Sequence, residues 1–171
     1  GAFASPFGPI AVDAAVAASI AAERDVIRPL PAVHAREHSL EMQLPFLKRV
    51  LPETPIVPLL MGYQRRETAH ELGDAIATAI KGRRAVIVAS TDLSHYQNAA
   101  TAAKLDGQVI QQVRRFDPDG LMSLLEARPE HACGGGPTVA VMRAARALGA
   151  TDARVLKYGD SGDVSGDKEA V

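Results

Sequence analysis

Apolar residues recur along this chain in two distinct rhythms. Between Asp13 and Arg24, Val16, Ile20 and several alanines fall on one face at helical spacing, which predicts a helix. Over Glu37–Leu51, Leu40, Leu44, Leu47 and Leu51 recur at three- and four-residue steps and predict a second helix, with Pro45 marking a kink or a restart. Further helices are predicted over Arg66–Lys81, Ala99–Arg115, Asp119–Glu126 and from about Pro137 to Leu148. Between them lie short apolar runs of strand length: Val26–His34 (broken by Pro29 and Pro31), Pro55–Met61, Ala85–Ala89 and Ala153–Tyr158. Strands that alternate with helices of this length predict right-handed crossovers and a mainly parallel sheet. The expected architecture is one α/β domain over residues 1–171, with three α/β/α layers. In such folds ligands sit beyond the carboxyl ends of the strands.

Composition narrows the functional classes. The 171 residues suit one domain, and the 47% apolar content is enough for a sizeable core. The net charge of −1 provides no global field to recruit nucleic acid or an anionic membrane. With no Trp and few other aromatics, a stacking platform for single-stranded nucleic acid is not expected. The Ala-rich run Ala11–Ala22 is too short for a membrane span and is interrupted by Asp13 and Ser19. A single cysteine, Cys133, excludes an internal disulfide and fits a reducing, cytoplasmic setting. The chain begins at Gly1 rather than Met and ends on Glu-Ala-Val, the pattern expected of a trimmed chain.

The segment Ala85–Tyr96, AVIVASTDLSHY, opens as a core strand and ends in a cluster of polar groups. An imidazole such as that of His95 exchanges protons near neutrality. Asp92, three residues earlier, is placed to orient it or to contact a ligand beside it. Ser90, Thr91 and Ser94 add hydrogen-bonding capacity, and Tyr96 adds a phenol. The competing reading makes Asp92 or a serine a helix N-cap. Cys133 lies in HACGGGPT, ahead of a helix. Three glycines would let the backbone pass close to a ligand, and a helix N-terminus favours a thiolate. The competing reading is a small buried hydrophobe. His131 reads as a solvated loop histidine. In EHSLEMQLPFL, Glu37 and Glu41 share a helix face, and His38 reads as a ligand, a ligand's support or a buried histidine. The chain has no P-loop, no G-x-G-x-x-G after a strand, no C-x-x-C, no H-E-x-x-H and no G-x-S-x-G. The types of Cys133, His95 and Asp92 also permit a thiol-dependent hydrolase.

EHSLEMQLPFL, STDLSHY, the Cys133 glycine loop and the closing KYGDSGDVSGDK together resemble the Memo family. Its bacterial and archaeal members are called AmmeMemoRadiSam system protein B. The opening FASPFGPIAVD is similar as well, so the resemblance runs along nearly the whole chain. It implies a fold like that of class III extradiol dioxygenases, which hold iron(II) with two His and a carboxylate. It implies an acid/base role for His95 with Asp92 as its neighbour, and a thiolate ligand in Cys133 replacing the carboxylate. Glu37 and His38 would line the pocket with Ser94 and Tyr96. The two histidine ligands of the family are expected upstream of Gly1, so metal affinity in this chain alone is expected to be weak or absent. The implied cofactor is iron(II) or copper. The implied activity, if the protein is an enzyme, is that of a metal-dependent oxidoreductase. The thiolate ligand argues against ordinary ring cleavage. The alternative is a non-catalytic module that holds a peptide, a small molecule or a protein partner associated with a radical-SAM enzyme in the same cleft.

Overall fold

A computed structural model describes residues 1–171. The helices form where the periodicity places them. Helix α1 (Ala14–Glu23) starts at Asp13, whose carboxylate accepts the Val16 N–H at 3.0 Å and satisfies one donor that a helix start leaves free. Helix α2 (Ser39–Val50) runs through Pro45 and is preceded by a 3-10 turn at Pro31–Arg36. Helices α3 (Arg66–Ala79), α4 (Ala99–Arg114), α5 (Pro118–Ala127) and α6 (Gly135–Ala147) follow, and a single turn, α7 (Gly162–Ser165), lies in the closing polar loop. Asn98 caps α4 by accepting the Thr101 N–H at 2.9 Å, and Asp117 caps α5 by accepting the Gly120 N–H at 2.9 Å.

The expected three-layer α/β/α domain with a mainly parallel sheet, of the class III extradiol dioxygenase kind, is not what the chain adopts. The only ladder joins β1 (Ala2–Phe3) to β2 (Ile10–Ala11), antiparallel, with Ala2 opposite Ala11. One isolated parallel bridge pairs Val12 with Ile56. Over Val26–His34, Pro29 and Pro31 lack N–H donors, and the chain winds into the 3-10 turn instead. The runs Ala85–Ala89 and Ala153–Tyr158 have no ladder, and Val86 and Leu156 are 79% and 88% exposed. An apolar run is compatible with a strand, but a ladder also needs a second backbone alongside it. No helix is long and apolar enough to cross a membrane.

The core is built around α3 and α6, the two helices in most extensive contact. On one side Ala69 of α3 joins Val139 and Met142 of α6, together with Val109, Phe116, Leu121, Met122, Leu125 and Ala132. On the other side Ala75, Ile76 and Ala77 of α3, with Ile80 after it, join Ala144 of α6, Val16 and Ile20. The helices approach so closely that a Cβ on Gly73 would lie 2.8 Å from the Ala140 carbonyl oxygen. Beside that contact, Arg143 grips Asp74 with a fork: Nε to Oδ1 at 2.7 Å and Nη2 to Oδ2 at 3.0 Å. The guanidinium bond holds the Asp74 carboxyl below the usual aspartate range.

Gly73→Ala should destabilise the protein by about 1–3 kcal/mol through overpacking. Gly107→Ala, on α4 with nothing near the new methyl, should stabilise it by about 0.5–1 kcal/mol. Urea unfolding of both variants tests this, and equal signs would refute the close-approach account. Because the pKa of Asp74 is lower in the folded state, its contribution is complete above the unfolded value near 4 and is lost as pH falls through the folded value. For this partly exposed, screened pair, Asp74→Asn should cost about 0.5–1 kcal/mol at pH 7. Its unfolding free energy should converge on that of the unaltered chain only below about pH 4.

Candidate metal centre

Three segments far apart in sequence meet just before α6. Thr91 sits at the centre of the junction: its hydroxyl oxygen accepts the Gly134 N–H at 2.8 Å and its O–H donates to the Asp92 carbonyl at 2.7 Å. Gln64 closes the other side. Its amide donates to the Cys133 carbonyl at 2.6 Å and accepts the Gly136 N–H at 2.7 Å. Ser90 ties in α2, its hydroxyl accepting from Gln43 at 3.2 Å and donating to the Ser39 carbonyl at 3.4 Å.

The glycine run serves this junction. A Cβ on Gly134 would strike the Ser90 carbonyl and Thr91, one on Gly135 would strike the Leu125 side chain, and one on Gly136 would lie 2.7 Å from Met61 Sδ. The close approach is thus to the protein's own backbone and side chains, where a ligand was expected. The thiolate support expected from a helix N-terminus is also replaced. The amides of Gly134 and Gly136 are occupied by Thr91 and Gln64, and the donor to Cys133 Sγ is the Asp92 N–H at 3.2 Å. In return the Cys133 N–H donates to the Asp92 carbonyl at 3.2 Å. Cys133 is exposed, so the buried-hydrophobe reading fails.

These bonds bring three donor groups together. The ligand atoms of Asp92, His95 and Cys133 lie within 4.8 Å of one another, and all three residues are exposed. His95 Nε2 stands 3.7 Å from Asp92 Oδ2. Asp92 caps no helix, since Asn98 starts α4. Donors around a single ion at about 2.0–2.3 Å are separated by roughly 3–4.5 Å. Small side-chain rotations would therefore close the set. Tyr96, next to His95, has φ 59 and is 87% exposed, with its ring 5.8 Å from the imidazole. A bulky residue in this left-handed region costs about 1–2 kcal/mol and persists only where its surroundings fix it. Ser94 lies behind the loop with its Oγ buried and unpaired, while its N–H donates to Asp106 at 2.9 Å.

A family model for Memo-like proteins matches residues 1–171. The chain belongs to the Memo-like family. A MEMO1 family protein of Methanosarcina mazei is 46% identical over 141 residues, covering 81% of this chain and 53% of the relative. One from Methanopyrus kandleri is 38% identical over 174 residues, covering the whole chain and 62% of the relative. One from Methanothermobacter thermautotrophicus is 36% identical over 173 residues, again covering the whole chain and 62% of the relative. This chain thus spans between about half and three fifths of the length of these curated relatives. No solved structure matches it.

Other candidate residues of this Memo-like chain lie elsewhere. Glu37 accepts the Ser39 N–H at 2.8 Å, a bond that holds its carboxyl below the usual glutamate range. His38 Nδ1 lies 3.3 Å from Glu41 Oε2 at the surface. Both line a separate hollow of about 200 Å³ with Phe3, His34 and Leu44, and neither joins the Asp92–His95–Cys133 group. The α2 residue that reaches the junction is Gln43. His131 is buried rather than solvated, at 1% exposure, with neither ring nitrogen hydrogen-bonded. Its nearest charge is Glu130 Oε1 at 3.9 Å. Gln64, Gln43 and Asp106 escaped the sequence reading. Each bonds to a residue dozens of positions away; Gln43 lies within EHSLEMQLPFL, but no short motif marks Gln64 or Asp106.

Thr91→Val keeps the shape but leaves the Gly134 N–H without its acceptor, which should cost about 1–3 kcal/mol. Thr91→Ser should recover most of that loss in the same urea titration. A Val variant as stable as the unaltered chain would show that this bond does not hold the junction.

Proposed function

We propose that this Memo-like protein binds a redox-active metal ion, iron(II) or copper, with Cys133 as the anchoring donor and His95 and Asp92 beside it. The observation that carries the reading is the convergence of these three donors, drawn from segments 41 residues apart. The donor set fits the group chemically. A thiolate is soft, an imidazole is borderline and a carboxylate is hard, a mixture that suits copper and iron. Three donors also leave room for further ligands or a substrate.

Bound there, such an ion would supply one-electron chemistry. The chain's own groups have separate tasks. The Asp92 N–H donates to Sγ and would support the charge of a metal-bound sulfur there. The Asp92 carboxylate, 3.7 Å from Nε2, orients the imidazole. His95 would give one ring nitrogen to the ion and would hold or move a proton at the other. A second reading, a non-catalytic module that docks a peptide or small molecule in the same cleft, draws support from the exposure of all three residues. Such a module should keep its ligand in the presence of a chelator.

Anaerobic titration with Fe(II) and with Cu(I) tests the metal reading. About one weakly held ion per chain is expected at saturating metal, with affinity falling at least ~10-fold in Cys133→Ala. Failure of the unaltered chain to bind either ion stoichiometrically would overturn the metal reading in favour of the docking module.

A further inference from the structure

The loop that carries Asp92 and His95 is held from behind by one buried carboxylate. Asp106 projects from α4 and is 5% exposed. Its Oδ1 accepts the Ser94 N–H at 2.9 Å, and its Oδ2 accepts the Tyr158 hydroxyl at 2.6 Å. Burial and this bond push the Tyr158 hydroxyl pKa well up, so the phenol stays protonated and remains a donor. No Lys, Arg or His forms an ion pair with Asp106. Burying a carboxylate on neutral donors alone is costly. An apolar residue would fill this position on α4 more cheaply if packing were its only task.

The segment that supplies Tyr158 also brackets the loop further along. The Ala99 N–H donates to the Lys168 carbonyl at 2.9 Å, and the Val171 N–H donates to the Gln97 carbonyl at 2.8 Å. That segment is pinned in turn by the Lys168 ammonium, at 2.7 Å from Asp160 and 2.6 Å from Asp163. His95 and the left-handed Tyr96 therefore stand between fixed points at Ser94 on one side and Gln97 and Ala99 on the other. Such bracketing is what a strained backbone position requires.

We propose that Asp106 is the positioning residue of the centre: through the Ser94 N–H and the Tyr158 hydroxyl it sets where His95 stands relative to Cys133. It would touch neither metal nor substrate. The role in metal binding rests on the proposed function; the role in loop geometry does not. Asp106→Leu removes both bonds. In Asp106→Asn the amide oxygen still accepts from Ser94, while the amide N–H donates to the phenol oxygen, so both contacts survive without the charge. Tyr158→Phe removes one contact.

Two measurements test the proposal. The first is amide hydrogen exchange on the metal-free chain. Asp106→Leu should speed exchange at Ser94 about tenfold, the worth of one hydrogen bond to a charged acceptor, with α3 and α6 unaffected. Asp106→Asn should stay close to the unaltered chain, and Tyr158→Phe should fall between them. Unchanged exchange at Ser94 in Asp106→Leu would overturn the proposal. So would faster exchange throughout α3 and α6, which would make Asp106 a general fold determinant. The second is titration with Co(II) as a spectroscopic probe. Asp106→Leu should keep the thiolate-to-cobalt charge-transfer band, change the ligand-field bands and bind about 10-fold more weakly. Asp106→Asn should restore both. An unaltered cobalt spectrum and affinity in Asp106→Leu would overturn its role in the centre. If the unaltered chain binds no Co(II), the link to metal binding falls with the proposed function, and the exchange result decides the positioning role alone.

Discussion

The approach of α3 to α6 at Gly73 and Ala140 is the contact on which the rest of the molecule depends. Both core clusters draw on both helices, so neither cluster can form unless the pair is seated. A side chain at Gly73 would press on the Ala140 carbonyl, a backbone atom that cannot rotate out of the way. Helix α5 packs on α6, and α1 packs on α3. The Arg143–Asp74 fork fixes the pair along its axis. Once α6 is placed, its first residues are placed too, and with them the Cys133 loop.

From there the centre is assembled by small polar contacts rather than by burial. Thr91 and Gln64 each make two bonds to backbone, and the Thr91 hydroxyl also lies 4.0 Å from Cys133 Sγ. Side chain-to-backbone bonds of this kind fix chain path more than they fix any one rotamer. The backbone around Cys133 and Asp92 is therefore determined, while the Asp92 carboxylate and the thiol reach into solvent. A fixed frame carrying exposed donors suits a site whose geometry is completed by what binds there.

How much of this was legible from the residues depended on range. The helices were legible because amphipathic spacing is a local property; α1, α3, α4, α5 and α6 all fall close to their expected positions. The sheet is not legible in the same way because strand pairing is non-local. Val86 and Val88 have the right character for a ladder but join none, and both are exposed. His95, Asp92 and Cys133 stood out by residue type, and the structure brings them together. The glycines beside Cys133 show the limit of that approach. Their smallness signals a close approach without saying to what, and here it is to Ser90, Leu125 and Met61. Gln64 and Asp106 are common polar residues whose partners lie far along the chain, so nothing local distinguishes them.

The exposure of Cys133 has a further consequence for the chemistry of the site. A thiol open to a metal ion is equally open to peroxide. Oxidation to the sulfinic acid is largely irreversible and presents oxygen where sulfur stood. In the proposed centre that change would replace the one soft donor with a hard one, leaving an imidazole between two oxygen acids. Such a set would no longer favour copper(I) and would move toward harder divalent ions. The oxidative history of a single sulfur atom would then select which ion the centre prefers.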